Sequence, residues 1–191
     1  MTSPLLKRKA YSYADYLEWS DDRRWELING TLYDMSPAPS TRHQDVSWEL
    51  AGQIHHYLSG KTCRGYAAPF DVRFPEGVRA DDEIIDVVQP DILVVCDLSK
   101  LDDKGYQGAP DFIIEIISPS TASKDYVTKR QLYEKNGVKE YWIVHPIDKV
   151  VQRYLLEKGK YNISIHEGKG RLEVVTLPGL VIDLDLVFKE V

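Results

Sequence analysis

The sequence predicts an α/β (α+β) fold, a mixed central β-sheet flanked by helices. Two unbroken apolar runs, Ile92 to Val95 and Phe112 to Ile117, are rich in Ile and Val and suit central strands covered on both faces. Between His43 and Leu58, the residues Val46, Leu50, Ile54, Tyr57 and Leu58 recur at three- and four-residue spacing, the signature of an amphipathic helix. Paired strand-like runs joined by turn residues stand towards both ends. The expected order is helix, three strands, helix, strand (αβββαβ), with extra N- and C-terminal hairpins, and strands interrupted by two helices indicate a mixed sheet.

Ser12-Tyr-Ala-Asp15 is a capped start for a short helix reaching about Trp19. Trp25 to Ile28 and Thr31 to Met35 flank Asn29-Gly30, a strong local hairpin signal. After the amphipathic helix, Phe70, Val72 and Phe74 alternate with Asp71 and Arg73, predicting a strand with one buried face. Ser118-Pro-Ser-Thr opens a second helix over Ser123 to Lys135, which stops at Asn136-Gly137. Glu140 to Val144 is another strand. Lys149 to Leu156 and Tyr161 to His166 form a hairpin around Glu157-Lys-Gly-Lys, and Arg171 to Thr176 adds a strand before Pro178-Gly179.

With 191 residues and no linker, repeat or low-complexity tract, one domain over residues 1–191 is expected. No apolar run approaches membrane-spanning length, and the basic stretch Met1 to Lys9 has no apolar region behind it, so the cytoplasm is the expected compartment. Cys63 and Cys96 lack metal-knuckle spacing and sit in apolar surroundings, so neither a disulfide nor a zinc site is expected. The net charge of −6 argues against a protein that coats nucleic acid through bulk electrostatics, and leaves room for a local basic surface with bridging cations.

Glu115 is the most informative position. It shares a strand face with Ile113 and Ile117, so a carboxylate lies among residues built for burial. Such a group needs a cation, a donor network or a shifted pKa; a rim glutamate paired with a nearby Lys or Arg is the plainer alternative. Asp91 heads the neighbouring apolar run and, on an adjacent strand, could converge with Glu115 on one hard cation, Mg2+ or Mn2+. Read alone, it is equally a turn residue after Pro90.

Asp125, Lys129 and Tyr133 line one helical stripe at four-residue spacing. Lys129 could reach the carboxylates and stabilise charge on phosphate, or it could form a solvated pair with Asp125. His43 could support a carboxylate or be a hydrogen-bonded core histidine. Glu26, between Trp25 and Leu27, could support the site or face solvent on an alternating strand. His55 and His56 are adjacent and make a poor metal pair on a helix.

Gln89-Pro-Asp91, the segment Phe112-Ile-Ile-Glu-Ile-Ile-Ser-Pro-Ser-Thr121, Asp125 to Lys129, Tyr133, Asn136-Gly-Val138 and Glu140-Tyr-Trp-Ile-Val144 together resemble the PD-(D/E)xK nuclease superfamily. Within it they are most similar to the Uma-two family of restriction-type endonucleases. Trp25-Glu-Leu-Ile-Asn-Gly30 and the His43 helix start share the likeness, which runs from about Tyr11 to Leu177-Pro-Gly179. The resemblance implies a restriction-endonuclease-like core, a metal site from Asp91 and Glu115 holding Mg2+ (or Mn2+), and hydrolysis of nucleic acid, DNA first. The lysine expected two residues after Glu115 is Ile117; in the resembling family its role passes to the following helix, here Lys129. The loss of that strand lysine keeps a second reading open, a nuclease fold that only binds nucleic acid or protein. A homodimer would suit an enzyme that cuts both strands of a duplex.

Overall fold

Asn29 and Gly30 both adopt positive φ, 50° and 69°, the turn geometry that matches the twist of a two-residue hairpin. A side chain at Gly30 would place its Cβ 2.8 Å from Cβ of Ala10, so close approach as well as φ calls for glycine. The computed structural model describes residues 10–19, 23–35, 38–75, 77, 80, 83–118 and 123–189. Helix α1 (Tyr13–Leu17) starts on the expected Ser12–Asp15 capping box, and the hairpin comprises β1 (Trp25–Ile28) and β2 (Thr31–Asp34). Helix α2 (Thr41–Leu58) is capped by Ser40, whose side chain accepts from the His43 backbone N–H.

Beyond α2 come β3 (Arg64–Ala67), β4 (Val72–Arg73), β5 (Val87–Val88), β6 (Ile92–Val95), β7 (Leu101–Asp102), β8 (Gly105–Gln107) and β9 (Phe112–Ile116). A π-helical segment, Lys124–Lys129, then runs directly into α3 (Arg130–Asn136), which ends on Gly137 in the left-handed region. Strands β10 (Glu140–His145), β11 (Val150–Glu157), β12 (Lys160–Glu167), β13 (Arg171–Glu173) and β14 (Val181–Asp183) and helix α4 (Leu184–Val187) follow.

The central sheet has the order β12-β11-β10-β9-β6-β3. Only β9 and β10 run parallel within it, with the π segment and α3 as their crossover, so the sheet is mixed as predicted. Alternation along β9 sends Phe112, Ile114 and Ile116 to one face and Ile113 and Glu115 to the other. The first face is covered by α2 through Val46, Leu50, Ile54 and Leu58, each contributing about 1.5–3 kcal/mol by burial. The second carries Leu132 and Tyr133 of α3 and residues of a second sheet, ordered β2-β1-β5-β4-β8-β7.

Two expectations are corrected. The strand expected over Phe70 to Phe74 is only Val72–Arg73, and it belongs to the second sheet; the third central strand is Arg64–Ala67. Arg73 faces inward because Asp102 compensates its charge at 2.5 Å and Tyr13 offers a ring face. The true strand, Arg-Gly-Tyr-Ala, lies at the sheet edge and is mostly exposed, so no apolar alternation marks it. The cysteines, expected to be unpaired, form a disulfide. The β3–β6 register, in which Arg64 faces Val95, continues to bring Cys63 opposite Cys96. The Pro119 to Thr121 part of the expected helix start lies outside the described residues. No described helix is long and apolar enough to cross a membrane.

The disulfide links residues 33 apart. It should therefore stabilise the oxidised protein by about 2–4 kcal/mol, chiefly by restricting the unfolded chain. A thiol reductant should lower the melting temperature of the wild type and leave that of Cys63→Ser unchanged; equal responses would show that the bond contributes nothing.

Candidate active site

Every candidate site residue except Asp91 is buried, while His55 and His56 are exposed. The contacts of Asp91 and Lys129 gather the candidates at one end of the central sheet. The β6–β9 register pairs Ile92 with Ile114, so Asp91 and Glu115 stand directly opposite on adjacent antiparallel strands. The backbone N–H of Ile116 donates to Asp91 Oδ2 at 2.8 Å, fixing that carboxylate against the strand bearing Glu115. His43, in the first turn of α2, places Nε2 3.3 Å from the same Asp91 oxygen.

Lys129 is 1% exposed, so the solvated alternative is excluded. Its ammonium lies 2.7 Å from Glu26 Oε1, 2.8 Å from Glu115 Oε1 and 3.8 Å from Asp125 Oδ1. Tyr133 donates its hydroxyl to Glu115 Oε1 at 2.7 Å, completing the stripe read from the sequence. Glu26, for which a solvent-facing position was the alternative, is completely buried. The Gln89 backbone N–H donates to its Oε1 at 3.0 Å, and Lys124 reaches its Oε2 at 2.7 Å.

Sequence reasoning missed Lys124 because an α-helix does not align positions five apart. The π segment has i→i+5 periodicity, so Lys124 and Lys129 meet the same carboxylate. Gln89 was visible only as part of Gln89-Pro-Asp91. Its side-chain amide accepts from Arg24 and donates to Asp71, while its backbone serves Glu26.

The two glutamates that share Lys129 titrate in opposite directions. Burial alone would raise Glu26, but Lys129 and Lys124 hold its carboxyl below the ordinary range. Burial raises Glu115 to about 8; Lys129 opposes this, while Asp125, Asp91 and Glu26 add to it by like-charge repulsion. The difference follows from partners, since Glu26 has two ammonium groups and a backbone donor, and Glu115 has one ammonium among three other acids. For Lys129, burial would lower the pKa, yet Glu115, Glu26 and Asp125 raise it well above the usual lysine value. Burial would also lower His43, but its hydrogen bond to Asp91 and that residue's charge raise it.

Asp91 and Glu115, at opposed positions on adjacent strands, are the residues that could hold a hard divalent cation. Among the described residues no group of three or more His, Cys, Asp or Glu side chains is arranged to hold a metal ion. Magnesium takes one or two carboxylates and keeps several waters. Glu115, crowded by like charge, is the acid with most to gain from a positive partner.

Residues 13–185 match the family model Uma2, described as "Putative restriction endonuclease". The chain belongs to this family. A Synechocystis protein, slr1290, described as uncharacterized, is 24% identical over 98% of this chain and 96% of its own length. A crystal structure from Anabaena variabilis, titled a "putative nuclease belonging to DUF820", superposes with a TM-score of 0.73 at 18% identity. The superposition covers 93% of this chain and 97% of that one, and shows the shared fold.

Replacing Lys129 should reveal how the buried charges compensate each other. Lys129→Met removes the ammonium paired with Glu115 and leaves Glu26 with Lys124, and should lower stability by about 3–5 kcal/mol. Glu115→Gln removes a crowded charge and keeps a hydrogen-bond acceptor, so chemical denaturation should record a distinctly smaller loss. Equal losses would show that Lys129 acts by packing and not by charge.

Proposed function

We propose that this protein is a metal-dependent endonuclease that hydrolyses phosphodiester bonds of DNA, with Mg2+ or Mn2+ held by Asp91 and Glu115 and with Lys129 assisting. The observation that carries the reading is the buried Lys129 ammonium, 2.8 Å from Glu115 and on the same side of the sheet as Asp91 across the strand. It supplies from a helix the positive group that Ile117 does not supply from the strand. Family membership supports nuclease chemistry; the residue roles are the proposal.

A bound divalent cation supplies an activated water and neutralises charge developing on the phosphate. The chain's own groups perform the rest. The Ile116 N–H and His43 orient Asp91, leaving its other oxygen, Oδ1, for a ligand. Tyr133 and Lys129 both donate to Oε1 of Glu115, which fixes the carboxyl plane. Glu26 and Asp125 keep the Lys129 ammonium charged and in place, so that it presents a hydrogen-bond donor to the attacking water or to a phosphate oxygen. Glu26 is a positioning residue in this scheme, itself secured by Lys124 and the Gln89 backbone.

Cleavage of plasmid and single-stranded DNA with Mg2+ or Mn2+ tests the reading. Asp91→Ala and Glu115→Gln should each reduce the rate by roughly a hundredfold or more, and a chelator should stop the wild type. Cleavage surviving both substitutions would sink the assigned site. A wild type that never cleaves would favour the rival reading, a binding module that lost catalysis with its strand lysine. Metal binding has a separate readout. Mn2+ should raise the melting temperature of the wild type by preferential binding to the folded state, and should not raise that of Asp91→Ala.

A further inference from the structure

At the same end of the central sheet as the acidic pair, on the face covered by α2, lies a cleft of opposite charge. It has a volume of about 430 Å³ and an apolar floor that includes Val46 and Phe188, with Arg42, Lys149 and Lys189 around it and Asp45 as the acidic member of its lining. Among the described lining residues, three cations against one carboxylate make a locally basic surface on a chain whose net charge is −6. Nothing in the chemistry proposed above uses these three side chains.

The fold places the cleft at the same end of the sheet as the acids. Arg42 precedes His43, whose ring contacts Asp91. Pro146, which also lines the cleft, follows β10, where Val144 pairs with Ile116 and accepts a hydrogen bond from the Ile117 N–H at 3.0 Å. A polyanion whose scissile bond sits at Asp91 and Glu115 therefore meets repulsive charge at the acids and attractive charge where it passes round this end of the sheet to the α2 face.

We propose that this cleft binds the backbone phosphates of nucleic acid flanking the scissile bond. The identity of the ligand rests on the nuclease reading; the basic character of the cleft does not. Phosphate contacts of this kind position the chain without reading sequence. They also solve the electrostatic problem of an acidic protein with a polyanionic substrate, by concentrating positive charge where the backbone leaves the acids.

The test is the binding of a fluorescein-labelled DNA duplex, followed by anisotropy over a range of salt concentrations with a chelator present. The triple variant Arg42→Gln, Lys149→Gln, Lys189→Gln should bind at least about tenfold more weakly, and the slope of log affinity against log salt should fall by about two to three. The single variant Arg42→Gln should lower that slope by about one. A control triple, Lys61→Gln, Arg64→Gln, Lys158→Gln, removes three cations from the far end of the sheet and should leave the slope nearly unchanged. Unaltered binding by the cleft variant, equal losses in both triples, or a wild type that binds no duplex would each overturn the inference. Duplex binding through the cleft without cleavage in any metal would uphold it and overturn the nuclease reading. Cleavage by the wild type with unaltered binding by the cleft variant would do the reverse.

Discussion

The Lys129 ammonium is the point on which three separately formed parts of the molecule meet. Glu26 comes from the hairpin sheet, Glu115 from the central sheet, and the lysine from the helical crossover between β9 and β10. A buried ion is tolerated only when its partners are close and well oriented, so each part must be seated before the others' charges are satisfied. Buried ion pairs of this kind contribute little net stability compared with apolar packing. What they impose is position: a small slip of the second sheet against the central one would strand charge in an apolar interior.

The two glutamates of the cluster differ in how fully their charges are compensated. Glu26 accepts from two lysines and a backbone amide, a fully satisfied carboxylate that stays ionised and holds Lys129. Glu115 shares the same ammonium but faces three other acids and remains close to its proton at neutral pH. Two glutamates with one lysine between them thus differ because of what else surrounds them. The asymmetry suits a site in which one carboxylate anchors while the other exchanges partners.

Much of this was legible in the sequence, and the rest was hidden for physical reasons. Glu115 announced itself because a charge inside an apolar strand demands compensation, and the Asp125–Lys129–Tyr133 stripe was readable from helical spacing. Asp91 became meaningful once the strand register set it opposite Glu115. Glu26 was undecidable from a four-residue strand whose burial breaks alternation, with Glu26, Leu27 and Ile28 all inside. The second sheet consists largely of strands of two or three residues, too short to show a period, and one of them buries an arginine. The disulfide depended on an edge strand that lacks an apolar signal, so the pairing of Cys63 with Cys96 could not be anticipated.

The π turn ahead of α3 works as a length gauge. An α-helix aligns residues four apart, and the π segment brings Lys124 and Lys129, five apart, to the same carboxylate, so the turn makes allowance for one extra residue without losing their shared direction. A lysine carried on the strand needs no such allowance, since pleating alone aims it. On the proposed reading, in which the positive group comes from the helix, position 117 carries an apolar side chain at the end of β9. In exchange, the aim of the lysine depends on the helical geometry of the crossover as well as on the strand that carries Glu115.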